Sequence, residues 1–121
     1  MTLTINLYTM RSKRIINTVC DYYGVKRRDV LTKRREQPCV LYRQVIQYFL
    51  SEYGYTTVKA GKLTGRDHST VCHSKTLIPN LMWTTPEFAV EMHDISELLV
   101  RVDKAGPLQY LFGRMLGTFV V

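Results

Sequence analysis

The sequence predicts an all-α fold: a compact helical bundle containing a helix-turn-helix, followed by a C-terminal helix and a short apolar tail. Three observations carry this. Apolar residues recur at helical spacing through the long segments, and glycine or proline punctuates those segments. A content of 45% hydrophobic against 22% charged residues gives a 121-residue chain enough apolar material for one core.

From Arg11 to Tyr23, the residues Ile15, Ile16, Val19, Cys20 and Tyr23 fall on one stripe, and Gly24 supplies a stop, which makes a first amphipathic helix. The stretch VKRRDVLTKRR has room for a short helical turn around Asp29 to Leu31 before an exposed basic loop that includes Pro38. From Leu41 to Tyr53, the spacing of Leu41, Val45, Ile46, Phe49, Leu50 and Tyr53 fits a buried helical stripe better than a strand, and Gly54 ends it. Thr56 or Thr57 can cap a short helix carrying Val58, Ala60 and Leu63, after which Gly65 turns the chain.

Asp67 can cap the next helix, with Ser69 and Thr70 in its first turn, Val71, Ser74 and Ile78 on one face, and Pro79 expected to stop it. Two short helices joined by a glycine-containing turn describe a helix-turn-helix. WTTPEF then starts a last long helix, with Thr85 as N-cap and Pro86 at the first helical position, where a missing N–H costs nothing. Phe88, Met92, Ile95, Leu98, Leu99 and Val102 line its apolar face, and Ala105-Gly106-Pro107 ends it. Trp83 and the tyrosines read as core or helix-junction packing, and Cys20 as core. The chain divides into residues 1–80, which hold the helix-turn-helix, and 81–121, whose helix and tail pack on that unit or serve a partner.

Charge points to the partner. With 17 Lys and Arg against 10 Asp and Glu, the chain carries a formal +7, which favours a polyanion. Residues 1–79 hold 14 basic and 5 acidic side chains, a net +9, whereas 80–121 hold 3 and 5, a net −2. The basic field belongs to the helix-turn-helix unit.

Cys20, Cys39 and Cys72 form no CxxC pair, and the opening MTLTINLYTMRSKR lacks the apolar run of a signal peptide, so a reduced, cytoplasmic setting is expected. Charged or polar residues interrupt every segment that could cross a membrane. Neither a metal nor a cofactor is expected. Cys72 and His73 are adjacent with His68 one turn earlier, which is not a four-ligand zinc spacing. A Cys72, His68, Asp67 catalytic set would lie within about one helical turn and has no glycine-rich oxyanion loop near it.

The residues with most to offer are Arg66, Asp67, His68 and Ser69, a cation, an acceptor, an imidazole and a hydroxyl at a helix N-terminus, followed by Thr70. A recognition helix presents side chains to base edges from that position, and a carboxylate there can accept from cytosine N4. The plainer alternative leaves Asp67 as an N-cap and His68 as a solvated residue. Lys33, Arg34 and Arg35, beside Lys26, Arg27 and Arg28, suit phosphate neutralisation or insertion of an arginine into a narrow minor groove; otherwise they are a solvated charge run.

Taken together, RIINTVCDYYGVKRRDVLTKRR, then Arg43-Gln44, then GRDHSTVCHS resemble the C-terminal DNA-binding domain of the DnaA-type bacterial replication initiators, over about residues 14–79. The resemblance implies a Trp repressor-like helix-turn-helix bundle that reads a short box in double-stranded DNA, with no catalysis. It places Arg35 at the minor groove, Arg43 at the DNA backbone or a base edge, and Asp67, His68 and Ser69 at base edges. Thr70 becomes a further contact, and Lys33, Arg34 and Arg66 serve phosphates or local structure. Leu41-Tyr42 replaces a frequent Arg-Pro, Glu36 stands beside Arg35, YGYTTVKAGKLTG is shorter than usual, and its customary Leu-Pro pair is missing. DNA binding is therefore expected to persist with a changed preferred sequence.

Gly61-Lys62 is followed by Leu63 and lacks the upstream glycine of a phosphate loop. The expectation is a reader without its motor, nucleoid-associated, as a phage or mobile element would encode or as a small regulator of replication or transcription. An adapter that keeps the fold but has lost base reading is the alternative. The tail from Leu108 to Val121 is a candidate dimerisation or partner surface.

Overall fold

The computed structural model describes residues 11–31 and 38–103. Among the described residues the chain forms six helices and no strand. Helix α1 (Ser12–Tyr23) follows an extended Arg11 and ends at Gly24 in the left-handed region. Its stripe of Ile15, Ile16, Val19 and Cys20 is buried, as the spacing predicts. After the short α2 (Arg27–Leu31) comes α3 (Cys39–Glu52), which packs against α1, α2 and the next two helices and so forms the centre of the bundle. Val45, Ile46, Phe49 and Leu50 of α3 are core.

Helix α4 (Thr57–Thr64) is capped by Thr56, whose hydroxyl accepts from the Lys59 N–H at 3.1 Å. That settles the choice between the two threonines. Gly65 then takes φ 68°, a conformation open to glycine without strain, and α5 (His68–Thr84) follows after Arg66 and Asp67. Gly61 is where α4 and the turn touch: a Cβ there would lie 2.6 Å from the Arg66 carbonyl oxygen.

Two local expectations about α5 are corrected. Pro79 does not stop the helix, which runs 17 residues through it to Thr84. An interior proline costs about 3 kcal/mol, but Ile78 is fully buried, and Leu81 and Met82 pack against the core on the following turn. Pro79 and Lys75, whose carbonyl loses its helical donor, are both exposed, so that carbonyl can be solvated. Trp83 is not packed at a junction either, for it is 88% exposed.

Helix α6 (Pro86–Asp103) starts at the predicted proline and lays Phe88, Met92, Ile95 and Leu99 against the core, packing on α1 and α5. Leu98, expected on that face, is 38% exposed; the Val102 side chain, Ala105-Gly106-Pro107 and the tail lie outside the described residues. Tyrosines do occupy helix junctions. The Tyr22 hydroxyl donates to Asp94 Oδ2 at 3.0 Å and that of Tyr23 to Glu91 Oε1 at 2.8 Å, joining α1 to α6. Tyr23 also stacks on Tyr42 of α3 with ring centres 4.1 Å apart. No helix among the described residues is long and apolar enough to cross a membrane.

Candidate nucleic-acid interface

The first turn of α5 is largely exposed. Asp67 precedes it with extended backbone, its carbonyl accepting from the Thr70 and Val71 N–H groups at 3.1 and 3.4 Å. Its carboxylate makes no capping hydrogen bond, so the plain N-cap alternative accounts for the backbone but not for the side chain. Asp67, His68 and Ser69 are all exposed, and Thr70 is half-buried. A carboxylate, an imidazole and a hydroxyl are thus exposed in succession at the start of a helix that the core holds at Val71 and Ile78.

Beside that turn lies a cleft of about 350 Å³, lined by Val40, Arg43, Gln44 and Gln47 of α3 and by Arg66 and Thr70. Three of the expected contact residues, Arg43, Arg66 and Thr70, therefore line one space. Arg43 is 3% exposed and its Nε donates to the Val30 carbonyl at 2.8 Å. Burial first, and the Arg66 cation second, pull its guanidinium below the ordinary arginine value, with Cys39 acting the other way. Arg66 is half-buried and donates from Nη1 to the Gly65 carbonyl at 2.9 Å. Arg43 and Arg66 thus line one cleft together with the amide side chains of Gln44 and Gln47 and the Thr70 hydroxyl.

The last described residues before the basic segment lie in the same neighbourhood. Val30 is tied to Arg43, and the Leu31 carbonyl lies 3.7 Å from where a Cβ on Gly65 would sit. Lys33, Arg34, Arg35 and Glu36, which follow immediately, lie outside the described residues. Upstream, Lys26, Arg27 and Arg28 are exposed at the start of α2.

Sequence reasoning missed Gln47. It is fully buried, donates from Nε2 to Thr64 Oγ1 at 3.0 Å, and accepts at Oε1 from Ser74 Oγ at 2.5 Å. The available signal was its place one turn beyond Arg43 within the most apolar stretch of α3. Among the described residues, no three potential metal-ligating side chains come together.

Comparison with known proteins agrees with the helix-turn-helix fold. Residues 12–78 match the family model described as the bacterial dnaA protein helix-turn-helix. The chain is 30% identical over 87 residues to the chromosomal replication initiator protein DnaA of Bacteroides thetaiotaomicron, covering 70% of this chain and 18% of that protein. It is 33% identical over 94 residues to chromosomal replication initiator protein DnaA 1 of Chlamydia pneumoniae, covering 76% and 20%. With the Streptococcus mutans DnaA protein the identity is 37% over 76 residues, covering 61% and 17%. The chain thus aligns with a fifth or less of each of these relatives. With a family match over residues 12–78 and a bundle that exposes the first turn of the second helix of a helix-turn-helix, this chain belongs to the bacterial DnaA helix-turn-helix family.

Proposed function

We propose that the chain is a sequence-specific reader of double-stranded DNA that acts in replication initiation or its regulation. In this reading α5 enters the major groove and brings Asp67, His68 and Ser69 to base edges. The cleft at Arg43, Arg66 and Thr70 takes a backbone phosphate. Lys33 and Arg34 neutralise further phosphates while Arg35 enters the adjacent minor groove. Residues 1–80 do the reading, and α6 in 81–121 buttresses α1 and α5. No chemical step is involved.

One observation supports this most strongly: the exposed Asp67-His68-Ser69 turn stands beside a cleft lined by two arginines, so base-directed and phosphate-directed groups share one side of the bundle. The relatives' names, which describe chromosomal replication initiators, support the biological setting. Selection from randomised duplexes, followed by affinity measurements across a salt series, tests the proposal. It should recover an enriched motif whose affinity falls steeply with salt. Recovery of no motif, or affinity indifferent to salt, would overturn it.

A further inference from the structure

The side-chain amide of Gln47 lies fully buried where α3 meets both arms of the helix-turn-helix. Its Nε2 donates to Thr64, the last residue of α4, and its Oε1 accepts from Ser74, in the second turn of α5. Thr64 and Ser74 are also fully buried. An amide in such a place costs stability relative to an apolar side chain unless its polar atoms are bonded. Both are.

The two hydroxyls do not need Gln47 for their own satisfaction. Thr64 Oγ1 donates to the Ala60 carbonyl at 2.8 Å, and Ser74 Oγ lies 3.1 Å from the Thr70 carbonyl, each within its own helix. What the amide adds is direction. Apolar contacts between helices tolerate small rotations and slides, whereas a pair of hydrogen bonds from one planar group to two helices does not. Gly61, in near contact with the Arg66 carbonyl, sets how closely α4 approaches the turn. The amide then fixes how α5 is rotated about that contact. The link reaches the exposed turn directly, because Thr70, whose carbonyl meets the Ser74 hydroxyl, lines the cleft and follows His68 and Ser69.

We propose that Gln47 is a positioning residue for sequence reading: its bonds to Thr64 and Ser74 hold α5 at the angle from which Asp67, His68 and Ser69 discriminate between bases. The inference rests on the DNA-reading assignment above. Gln47 touches no base in this account and acts only through the helix it orients.

The test uses the full chain and its own selected duplex against a scrambled one, with Gln47→Leu, Ser74→Ala and the double variant. Gln47→Leu removes both ties while leaving each hydroxyl its intrahelical carbonyl. Both single variants should keep the helical circular dichroism and cooperative unfolding. Each should lose about tenfold in discrimination, the factor that corresponds to ~1.4 kcal/mol. Affinity of Ser74→Ala for the scrambled duplex should stay within about twofold, because Ser74 does not line the cleft and phosphate contacts carry that affinity. The double variant should lose no more than Gln47→Leu alone, as expected of residues acting through one link. Should Gln47→Leu fail to fold, Ser74→Ala decides alone. Unchanged discrimination in the folded variants, or equal losses on both duplexes, overturns this inference while leaving DNA reading intact. A wild-type chain that selects no duplex removes both.

Discussion

Arg43 donates from Nε to the Val30 carbonyl at 2.8 Å, so a side chain of the central helix holds the last turn of α2, just before the basic segment begins. A guanidinium can do this and still turn its remaining N–H groups elsewhere, because its donors are spread over a rigid fork. An ammonium has one nitrogen and must choose. Arg43→Lys should therefore keep the charge and the slope of affinity against salt, yet lower thermal stability. Leaving the buried Val30 carbonyl poorly paired costs about 1–3 kcal/mol. Thermal unfolding with a parallel salt titration checks both halves; an unchanged melting temperature would show that the Arg43–Val30 bond contributes nothing.

Base-directed and phosphate-directed residues should separate in binding experiments. Asp67→Ala and His68→Ala should relax sequence preference, each by about 1–3 kcal/mol of discrimination, with little change on scrambled duplexes. Lys33→Ala should weaken all duplexes alike and make the salt slope shallower by about one. Equal losses by all three variants on matched and scrambled DNA would contradict the assignment.

The difference between what could and could not be read from the sequence follows the range of the forces involved. The α1 stripe and its Gly24 stop, the α6 start at Thr85-Pro86, and the exposed cluster from Asp67 to Ser69 depend on neighbours within a turn or two, so their spacing reveals them. Pro79 follows a local rule that loses to tertiary packing, since Ile78, Leu81 and Met82 hold α5 to the core on either side of it. Trp83 reads as core or helix-junction packing in the sequence, but its position on α5 faces it outward. Arg43 and Gln47 were the hardest. A polar residue within an apolar helix looks like its solvent side until partners 13, 17 and 27 residues away, at Val30, Thr64 and Ser74, are known.

Gly61→Ala should destabilise the helix-turn-helix even though alanine is the better helix former by about 0.8–1 kcal/mol. The new Cβ would stand 2.6 Å from the Arg66 carbonyl oxygen and tight against the Asp67 backbone, neither of which can yield as a flexible side chain would. Overpacking of this kind typically costs about 1–3 kcal/mol. Because the strain falls on the two residues that lead into α5, DNA discrimination should fall together with stability. Gly61→Ala melting at or above the wild-type temperature would show that α4 can retreat from the turn.

Cys20 supplies a pH test of the core. Its thiol is pushed up to about 11 from an ordinary 9.0, first by burial and then by the Asp21 carboxylate, against a smaller opposing effect of Arg27. Since the folded state holds this proton more tightly than the unfolded one, the contribution to stability is complete below about pH 9. It is lost progressively as pH rises toward 11. Urea unfolding at pH 8 and pH 10.5 should show a loss of stability that is smaller in Cys20→Ala, once each variant is compared with itself at the lower pH. Thiol labelling gives an independent check, because Cys72 is exposed and Cys20 is buried. Cys72 should react at once, and Cys20 only at the rate at which the bundle opens. Fast labelling of Cys20 under native conditions, with the same pH dependence in Cys20→Ala, would place that thiol outside the core.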